Sequence, residues 1–238
     1  MRRLSSPPLA RRPRHIHPTA SLAPRVLLPG DPGRALLLAQ QLTDGPMMFN
    51  HNRGLWGYTG EAADGEPLTI MSHGMGGPSA AIIVEELCQL GMERAIRVGT
   101  CGALDPSLGV GALVAATEVL AADGTSRALG AGPRVLPDAG LTAGLVERAD
   151  HSGLVATTDL FYDPDPARAD AWRAEGAIAV EMEAATVLTV AASHGVRAAC
   201  VFAVSDSEPG AGERIEAESL EAAAARLGRA AFEALAAS

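Results

Sequence analysis

The sequence contains no lysine, so all 19 of its basic residues are arginines. Five of these arginines precede residue 15, and no acidic residue occurs before Asp31. The whole chain has a formal charge of −9, and without its first 14 residues the charge becomes −14. An acidic body of this kind is a poor partner for nucleic acid, because such binding depends on basic side chains that neutralise phosphates. An anionic ligand must therefore meet a local cluster of arginines.

Long hydrophobic runs and paired cysteines are also missing. No stretch approaches the roughly 18 apolar residues that a membrane span requires, so we expect no membrane partner. The three cysteines, Cys88, Cys101 and Cys200, have no CxxC spacing, and the six histidines are scattered, so we expect no metal. Scattered, unpaired cysteines are typical of a reducing compartment, which favours a cytoplasmic location. Aromatic residues make up only 3% of the chain, and no aromatic or basic stripe accompanies the arginine-rich start.

Apolar strands alternate with helices along most of the chain. Residues 1–14 are rich in arginine and proline without periodicity, so we expect a disordered tail followed by a single domain over residues 15–238. The pattern predicts strands at Arg25–Pro29, Pro67–Ser72, Ala95–Val98, Ala112–Ala116 and Arg197–Val204, and helices at 33–42, Ser79–Leu90 (with Ser79 as its cap), 139–150, 165–175, 182–194 and 213–236. Such alternation indicates an α/β fold with helices on both sides of a largely parallel sheet.

Three glycine-containing turns are predicted at strand ends: Gly30–Arg34 (GDPGR), His73–Ser79 (HGMGGPS) and Arg97–Gly102 (RVGTCG). Ligands of open α/β sheets bind at the carboxyl ends of strands, so we expect these segments to share one crevice. They contribute free backbone N–H groups, two guanidinium groups and the hydroxyl of Thr100. These are the groups that a phosphate dianion requires, because arginine forms forked, charge-assisted hydrogen bonds to oxyanions.

Carboxylates occur at two further junctions of the predicted elements. Glu181 and Glu183 flank Met182 where an apolar run meets a helix, and Asp206 follows the strand ACVFAV. Acidic residues at a helix N-terminus or in a turn have a plain structural explanation. The functional alternative is a carboxylate that holds vicinal hydroxyl groups of a sugar. The residues alone leave both alternatives open for these carboxylates. For His73, a single histidine in its segment, we expect a structural role.

Taken in order, GDPGR, NRGLWGYTG, HGMGGPS, RVGTCGAL, VEMEAA and VSD resemble the motifs of the nucleoside phosphorylase I family. This resemblance extends from about Ile16 to the C-terminal helix and is strongest to the hexameric bacterial purine nucleoside phosphorylases. It implies a three-layer α/β/α sandwich around a mixed, largely parallel twisted sheet. It also implies a cytoplasmic homo-oligomer of the trimer-of-dimers form, which needs no cofactor beyond phosphate as co-substrate.

The resemblance assigns roles residue by residue. It implies a phosphate site made of Gly30, Arg34, Arg97 and Thr100, completed by Arg53 from a neighbouring subunit. It implies a nucleoside site made of Met75, Cys101, Gly102, Phe161, Glu181, Met182, Glu183 and Ser205. It also implies that His15, in the N-terminal arm of a neighbouring subunit, holds the ribose 5′-hydroxyl. His17 is a rival for this last role.

The implied reaction is phosphorolysis of purine ribonucleosides and 2′-deoxyribonucleosides, with Asp206 as the general acid. In many members an arginine about a dozen residues further on assists this acid; here Arg214 is the best match, eight residues after Asp206. The shortened segment 207–213 is expected to act as a mobile lid. The alternatives are a uridine phosphorylase, which the absent Gln-x-Arg motif disfavours, a nucleosidase that uses water, and a non-catalytic nucleoside-binding protein.

Overall fold

The computed structural model describes residues 13–207 and 214–238. Residues 1–12 of the expected tail and 208–213 of the expected lid lie outside the described residues. The strands are β1 (Arg25–Leu28), β2 (Thr43–Asn50), β3 (Gly57–Ala62), β4 (Pro67–Met71), β5 (Arg94–Ala103), β6 (Leu113–Ala121), β7 (Arg134–Val135), β8 (His151–Thr157), β9 (Ala177–Glu181) and β10 (Arg197–Asp206). The helices are α1 (Pro32–Leu42), α2 (Gly77–Leu90), α3 (Gly124–Ala128), α4 (Ala139–Val146), α5 (Ala167–Ala174), α6 (Ala184–Ser193) and α7 (Ala217–Ala236).

All of these strands belong to one mixed sheet of ten strands, with β7 paired to β6 at the side of the main path. The path runs β10-β6-β8-β9-β5-β1-β4-β3-β2, and β10 pairs with β5 as well as with β6. Strands β5, β10, β6, β8 and β9 therefore close into a ring, and β1 to β4 extend from it. The mixed α/β fold is confirmed, but within the described ranges antiparallel pairs are as numerous as parallel ones. The sheet is less parallel than expected because β2, β3 and β4 form antiparallel hairpins and because β6 with β10, β5 with β9 and β6 with β7 also pair antiparallel.

Two hydrophobic clusters lie on opposite faces of the sheet. Val26 and Leu28 of β1 pack into one cluster, whereas Leu27 packs into the other. Successive side chains of a strand point to opposite faces, so helices cover both sides of β1. Helices α2 and α6 contribute to the first cluster, and α1, α4 and α7 contribute to the second. The continuous apolar run of β1 is explained by this burial on both faces.

Two local predictions are wrong in detail. The segment Arg97–Gly102 is not a turn, because β5 continues through it to Ala103 and pairs with β10 as far as Gly102. Gly99 lies inside this strand, where a Cβ atom would come within 3.0 Å of the Arg97 guanidinium carbon. Ser79 does not cap α2, which begins after Gly76; its hydroxyl instead donates to the carbonyl of His73 at 2.6 Å.

Candidate active site

A cavity of about 880 Å³ opens where β5, β9 and β10 end. Strand pairing brings these ends together, since Gly102 of β5 lies opposite Val180 of β9 and Asp206 of β10. Of the sixteen residues predicted for the site, thirteen line this cavity: Gly30, Arg34, Met75, Arg97, Thr100, Cys101, Gly102, Phe161, Glu181, Met182, Glu183, Ser205 and Asp206. His15, Arg53 and Arg214 are not among its lining residues.

Arg97 is the buried cation at the floor of the cavity, with only 3% of its side chain exposed. Its Nε donates to Glu181 Oε2 at 2.9 Å, its Nη2 donates to Glu183 Oε2, and its Nη1 lies 2.9 Å from His73 Nε2. Burial by itself lowers the pKa of Arg97, but the charges of Glu183 and Glu181 outweigh it and raise the pKa. Arg97 is therefore held as a cation between two carboxylates and an imidazole.

The carboxylate of Glu181 is used within the protein. One of its oxygens accepts from the hydroxyl of Thr157 at 2.6 Å, and the other accepts from the backbone N–H of Glu183 at 2.9 Å. Both oxygens also accept from the backbone N–H of Ala184 at the start of α6. Glu181 thus joins β8, α6 and Arg97, and it places the following two residues at the cavity.

Glu183 lies between Arg97 and the turn that precedes α2. Its Oε1 accepts from the backbone N–H of Gly76, which connects this glutamate to the turn that carries Met75. Burial raises the pKa of Glu183 above its ordinary value; Arg97 opposes this shift and Glu181 adds to it. Met75 is 86% exposed, so its side chain projects into the opening beside Glu183.

The first glycine segment forms a turn that leads into α1. Asp31 caps this helix by accepting from the backbone N–H of Arg34 at 2.7 Å, and Pro32 occupies its first turn. This turn and the start of the helix place Gly30 and Arg34 in the lining of the cavity. Burial lowers the pKa of Arg34, Asp31 opposes this shift, and the nearby charge of Arg97 adds to it.

Asp206 ends β10 at the opposite side of the cavity. The hydroxyl of Ser205 lies 2.8 Å from Asp206 Oδ2 and 3.2 Å from the Cys101 carbonyl. Arg214 pairs with Asp206 through a backbone bridge, and its Nε lies 3.6 Å from Asp206 Oδ1. The spacing of eight residues therefore brings Arg214 to Asp206, although the Arg214 side chain is 76% exposed.

The segment before α5 contributes an apolar part of the cavity lining. Phe161 is half exposed and its ring meets that of Tyr162 edge-on, with centroids 4.9 Å apart. Cys101 is buried opposite, and burial raises the pKa of its thiol. Trp172 of α5 also lines the cavity. Trp172 was not predicted from the sequence, because a tryptophan in a predicted helix is equally typical of a packed core.

His15 and Arg53 are both absent from the lining of this cavity. Arg53 is exposed on a short 3₁₀ turn, Asn52–Gly54, with a φ of 59° that is uncommon for a residue with a side chain. The side chain of Asn52 donates to the carbonyl of His15 at 2.9 Å, which connects the turn to the arm. His15 Nδ1 lies 2.8 Å from Glu86 Oε1, whereas His17 Nε2 meets the carbonyl of Arg14.

Two buried residues make contacts that the sequence did not predict: Glu86, which was given no role, and His73, for which only a structural role was expected. Both side chains are buried; His73 begins the segment HGMGGPS, and Glu86 lies on α2, which begins within that segment. Within residues 13–207 and 214–238, no group of three or more His, Cys, Asp or Glu side chains is arranged to hold a metal ion. No helix in the same ranges is long and apolar enough to cross a membrane.

Comparison with known proteins agrees with these motifs. The sequence model of the phosphorylase superfamily matches residues 24–238. The chain belongs to this superfamily. The expected membership of the nucleoside phosphorylase I family is thereby confirmed, and the chain is an enzyme of the nucleoside phosphorylase type.

Individual relatives differ in the base that their names specify. The chain is 38% identical over 200 residues to a purine nucleoside phosphorylase of the DeoD type from Geobacillus kaustophilus, covering 79% of this chain and 83% of the relative. It is 37% identical over 202 residues to uridine phosphorylase from Escherichia coli K12, covering 75% and 78%. A crystal structure of uridine phosphorylase from Vibrio fischeri ES114 has the same fold, with a TM-score of 0.81 at 24% identity and coverage of 91% and 93%.

Proposed function

We propose that this enzyme catalyses phosphorolysis of purine ribonucleosides and 2′-deoxyribonucleosides, releasing the free purine and (2-deoxy)ribose 1-phosphate. The observation that carries the proposal is the meeting of Arg34, Arg97 and Thr100 with Asp206 in one cavity. A water-using nucleosidase has no need for two arginines at this place. Such a reaction suits purine salvage in the cytoplasm, with inorganic phosphate as the only co-substrate.

The phosphate dianion would bind between the start of α1 and the end of β5. Gly30 would supply a backbone N–H donor, and Arg34 and Arg97 would supply charge. A phosphate oxygen must approach the anomeric carbon from beneath the sugar. These groups would therefore hold the phosphate in position and stabilise charge, and they form no covalent intermediate. Thr100 adds a hydroxyl donor at the same edge.

The sugar would lie over Met182 and Glu183, with its hydroxyl groups directed to the Glu183 carboxylate. Glu183 is kept in place by Arg97 and the Gly76 N–H, so it reaches the ribose from a fixed position. Met75 would contact the other side of the ribose. Oriented in this way, the sugar develops positive charge as the glycosidic bond lengthens, and phosphate oxygen then forms the new bond to the anomeric carbon.

The departing base would accept a proton or hydrogen bond from Asp206 at purine N7. General acids of this kind typically contribute about 10²–10⁴ in rate. Ser205 and Arg214 approach the two carboxylate oxygens, so they are suited to orient Asp206. An aspartate here favours acceptance of both 6-amino and 6-oxo purines. Phe161, Cys101 and Gly102 would form the walls around the base.

Completion of the site is proposed to require a neighbouring copy of the chain. Arg53 and His15 lie outside the cavity of their own chain, on two segments joined by the hydrogen bond from Asn52 to the His15 carbonyl, as expected of residues that serve another subunit. We infer a homo-oligomer with shared sites, of the trimer-of-dimers form. We also infer a single domain over residues 15–238 in a three-layer α/β/α arrangement, supported by the core clusters on both faces of the sheet.

Uridine phosphorolysis is the second candidate, favoured by the 37% identity to the uridine phosphorylase of E. coli. It is disfavoured by the segment Thr157–Tyr162 (TTDLFY), which contains neither the glutamine nor the arginine of the pyrimidine-reading motif. Asp206, which is suited to protonating a purine, also supports the first candidate.

Product analysis separates these activities. Purified protein is incubated with adenosine, inosine or uridine, each with and without phosphate, and the base and sugar products are identified. We expect free purine and ribose 1-phosphate from adenosine and inosine, formed only with phosphate. Base release without phosphate would make the protein a nucleosidase, and cleavage of uridine alone would refute the purine assignment. Turnover of none of the three would refute the proposed activity for these nucleosides.

A further inference from the structure

His73 lies behind the wall of the cavity, between the two segments assigned to phosphate. Its backbone N–H donates to the carbonyl of Pro29 at 3.0 Å, and the next residue, Gly74, donates to the carbonyl of Gly30 at 3.1 Å. The side chain is fully buried, with 0% exposure. A Cβ atom built on Gly30 would lie 3.7 Å from His73 Cε1, so the imidazole packs against the first glycine segment.

The contact with Arg97 determines which nitrogen of the imidazole carries the proton. His73 Nε2 lies 2.9 Å from Arg97 Nη1. A guanidinium group can only donate hydrogen bonds, so Nε2 must accept and the ring proton must lie on Nδ1. Within the part of the chain that the structure describes, Nδ1 has no partner at hydrogen-bonding geometry.

The surroundings keep this histidine neutral. Burial lowers the pKa of His73 well below its ordinary value, and the charges of Arg97 and Arg34 lower it further. The backbone of Gly74 and Leu28 opposes this lowering without overcoming it. A proton on Nε2 would also place two donors face to face, so the acceptor contact requires a neutral ring with its proton on Nδ1.

A neutral acceptor beside Arg97 adds no negative charge to the phosphate site. Arg97 already faces the carboxylates of Glu181 and Glu183, so a third carboxylate would add negative charge where a phosphate dianion has to bind. An imidazole restrains the remaining edge of the guanidinium without adding charge. With Nε, Nη2 and one hydrogen of Nη1 engaged, the other hydrogen of Nη1 is left at a defined orientation.

We propose that His73 is a positioning residue for phosphate, which holds Nη1 of Arg97 at the angle required to donate to the bound anion. The proposal rests on the phosphate site described under the proposed function. His73 itself does not contact the substrate; it acts through Arg97. Its effect should therefore appear in phosphate affinity, whereas a residue needed only for packing would lower stability and leave phosphate affinity unchanged.

Two polar substitutions separate these roles. In His73→Gln the side-chain oxygen lies the same number of bonds from Cα as Nε2, so it keeps an acceptor for Arg97. In His73→Asn the oxygen corresponds to Nδ1 and falls short of Arg97. We expect phosphate binding, measured by calorimetry with inorganic phosphate alone, to be near wild type in His73→Gln. In His73→Asn we expect it to be weaker by roughly 10- to 100-fold, the usual effect of losing a hydrogen bond to a charged group.

Steady-state kinetics supply the second readout, with the KM for phosphate rising in His73→Asn more than kcat falls. Equal phosphate affinity in both variants and wild type would overturn the proposal. An equal weakening in both variants would also overturn it, because the ring rather than its acceptor would then be required. Thermal unfolding of both proteins checks that each is folded.

Imidazole nitrogen NMR of the wild-type enzyme tests the contact directly, without reference to the phosphate affinity of a variant. The His73 signal, identified by its absence from the His73→Gln spectrum, should show a protonated Nδ1 and an unprotonated Nε2. The opposite tautomer would refute the contact. Phosphate binding without phosphorolysis in the wild type would contradict the proposed function while leaving the His73 comparison decisive. Absence of phosphate binding in the wild type would overturn both.

Discussion

Glu86 of α2 holds the N-terminal arm through several hydrogen bonds to one carboxylate. Its Oε1 accepts from the backbone N–H of Arg14 at 2.9 Å and from His15 Nδ1 at 2.8 Å, and its Oε2 accepts from the backbone N–H of Ile16 at 2.7 Å. The carboxylate is buried, and Ile16 beside it is 1% exposed. We therefore predict that Glu86→Gln loosens the arm, because a carboxamide keeps one acceptor oxygen and turns the other position into a donor.

The expected cost follows from the hydrogen bonds that a glutamine at this position is unable to accept. At least one backbone N–H is left facing an NH₂ group, and a hydrogen bond to a charged group contributes about 1.5–3 kcal/mol. The arm can also detach from α2, so the loss of stability is not larger than the free energy of docking the arm. We expect Glu86→Gln to lower the free energy of unfolding by about 2–4 kcal/mol and the midpoint of thermal unfolding by several degrees.

Glu85 offers a matched control at the neighbouring position. It is more exposed, and its contacts are with the side chains of Gln89 and His194 rather than with the arm. Exposed pairs of this type contribute at most about 1 kcal/mol, so Glu85→Gln should change stability little. Denaturant unfolding of both variants, with hydrogen exchange of residues 14–16, makes the comparison. Equal effects of the two substitutions, or unchanged exchange in the arm of Glu86→Gln, would refute the role of Glu86.

The same contact has a defined pH dependence. Burial alone raises the pKa of Glu86, but the hydrogen bonds from Ile16, Arg14 and His15 outweigh it and lower the pKa below its ordinary value. A carboxyl group with a lowered pKa stabilises the folded state fully above its unfolded pKa, and this contribution is lost as the pH falls through the folded value. We expect the stability difference between wild type and Glu86→Gln to shrink under acid conditions. A difference that grows as the pH falls would contradict this.

Two further substitutions test the site itself. Asp206→Asn should lower kcat/KM for inosine by about 10²–10⁴ at unchanged stability, with Asp150→Asn as the control outside the cavity; a loss below tenfold would refute the general-acid role. Arg97→Met should abolish phosphate binding and lower the free energy of unfolding by about 3–5 kcal/mol, because the buried carboxylates of Glu181 and Glu183 lose their cation. Calorimetry with inorganic phosphate measures binding, and denaturant unfolding measures stability. A stable protein that still binds phosphate would show that Arg97 is dispensable.

Local sequence signals predicted much of the framework. The helix predicted at 33–42 corresponds to α1, and the apolar run RVLL predicted β1, because amphipathic helices and buried strands have short-range signatures. The hairpin strand β2 was missed, since its sequence TDGPMMFN has neither alternation nor a continuous apolar run and its burial is mixed. The extension of β5 through Gly99 was missed because glycine usually ends a strand.

The order of the motifs, and the types of side chain available for an anion, a sugar and a base, can be read directly from the chain. The partners of those side chains depend on the fold. Arg97 meets Glu181 and Glu183 across separations of 84 and 86 residues, and it meets His73 across 24. These contacts depend on how β5 pairs with its neighbours and on where β4 ends. Pairing between distant strands is determined by burial of whole faces of the sheet, so no single motif carries that information.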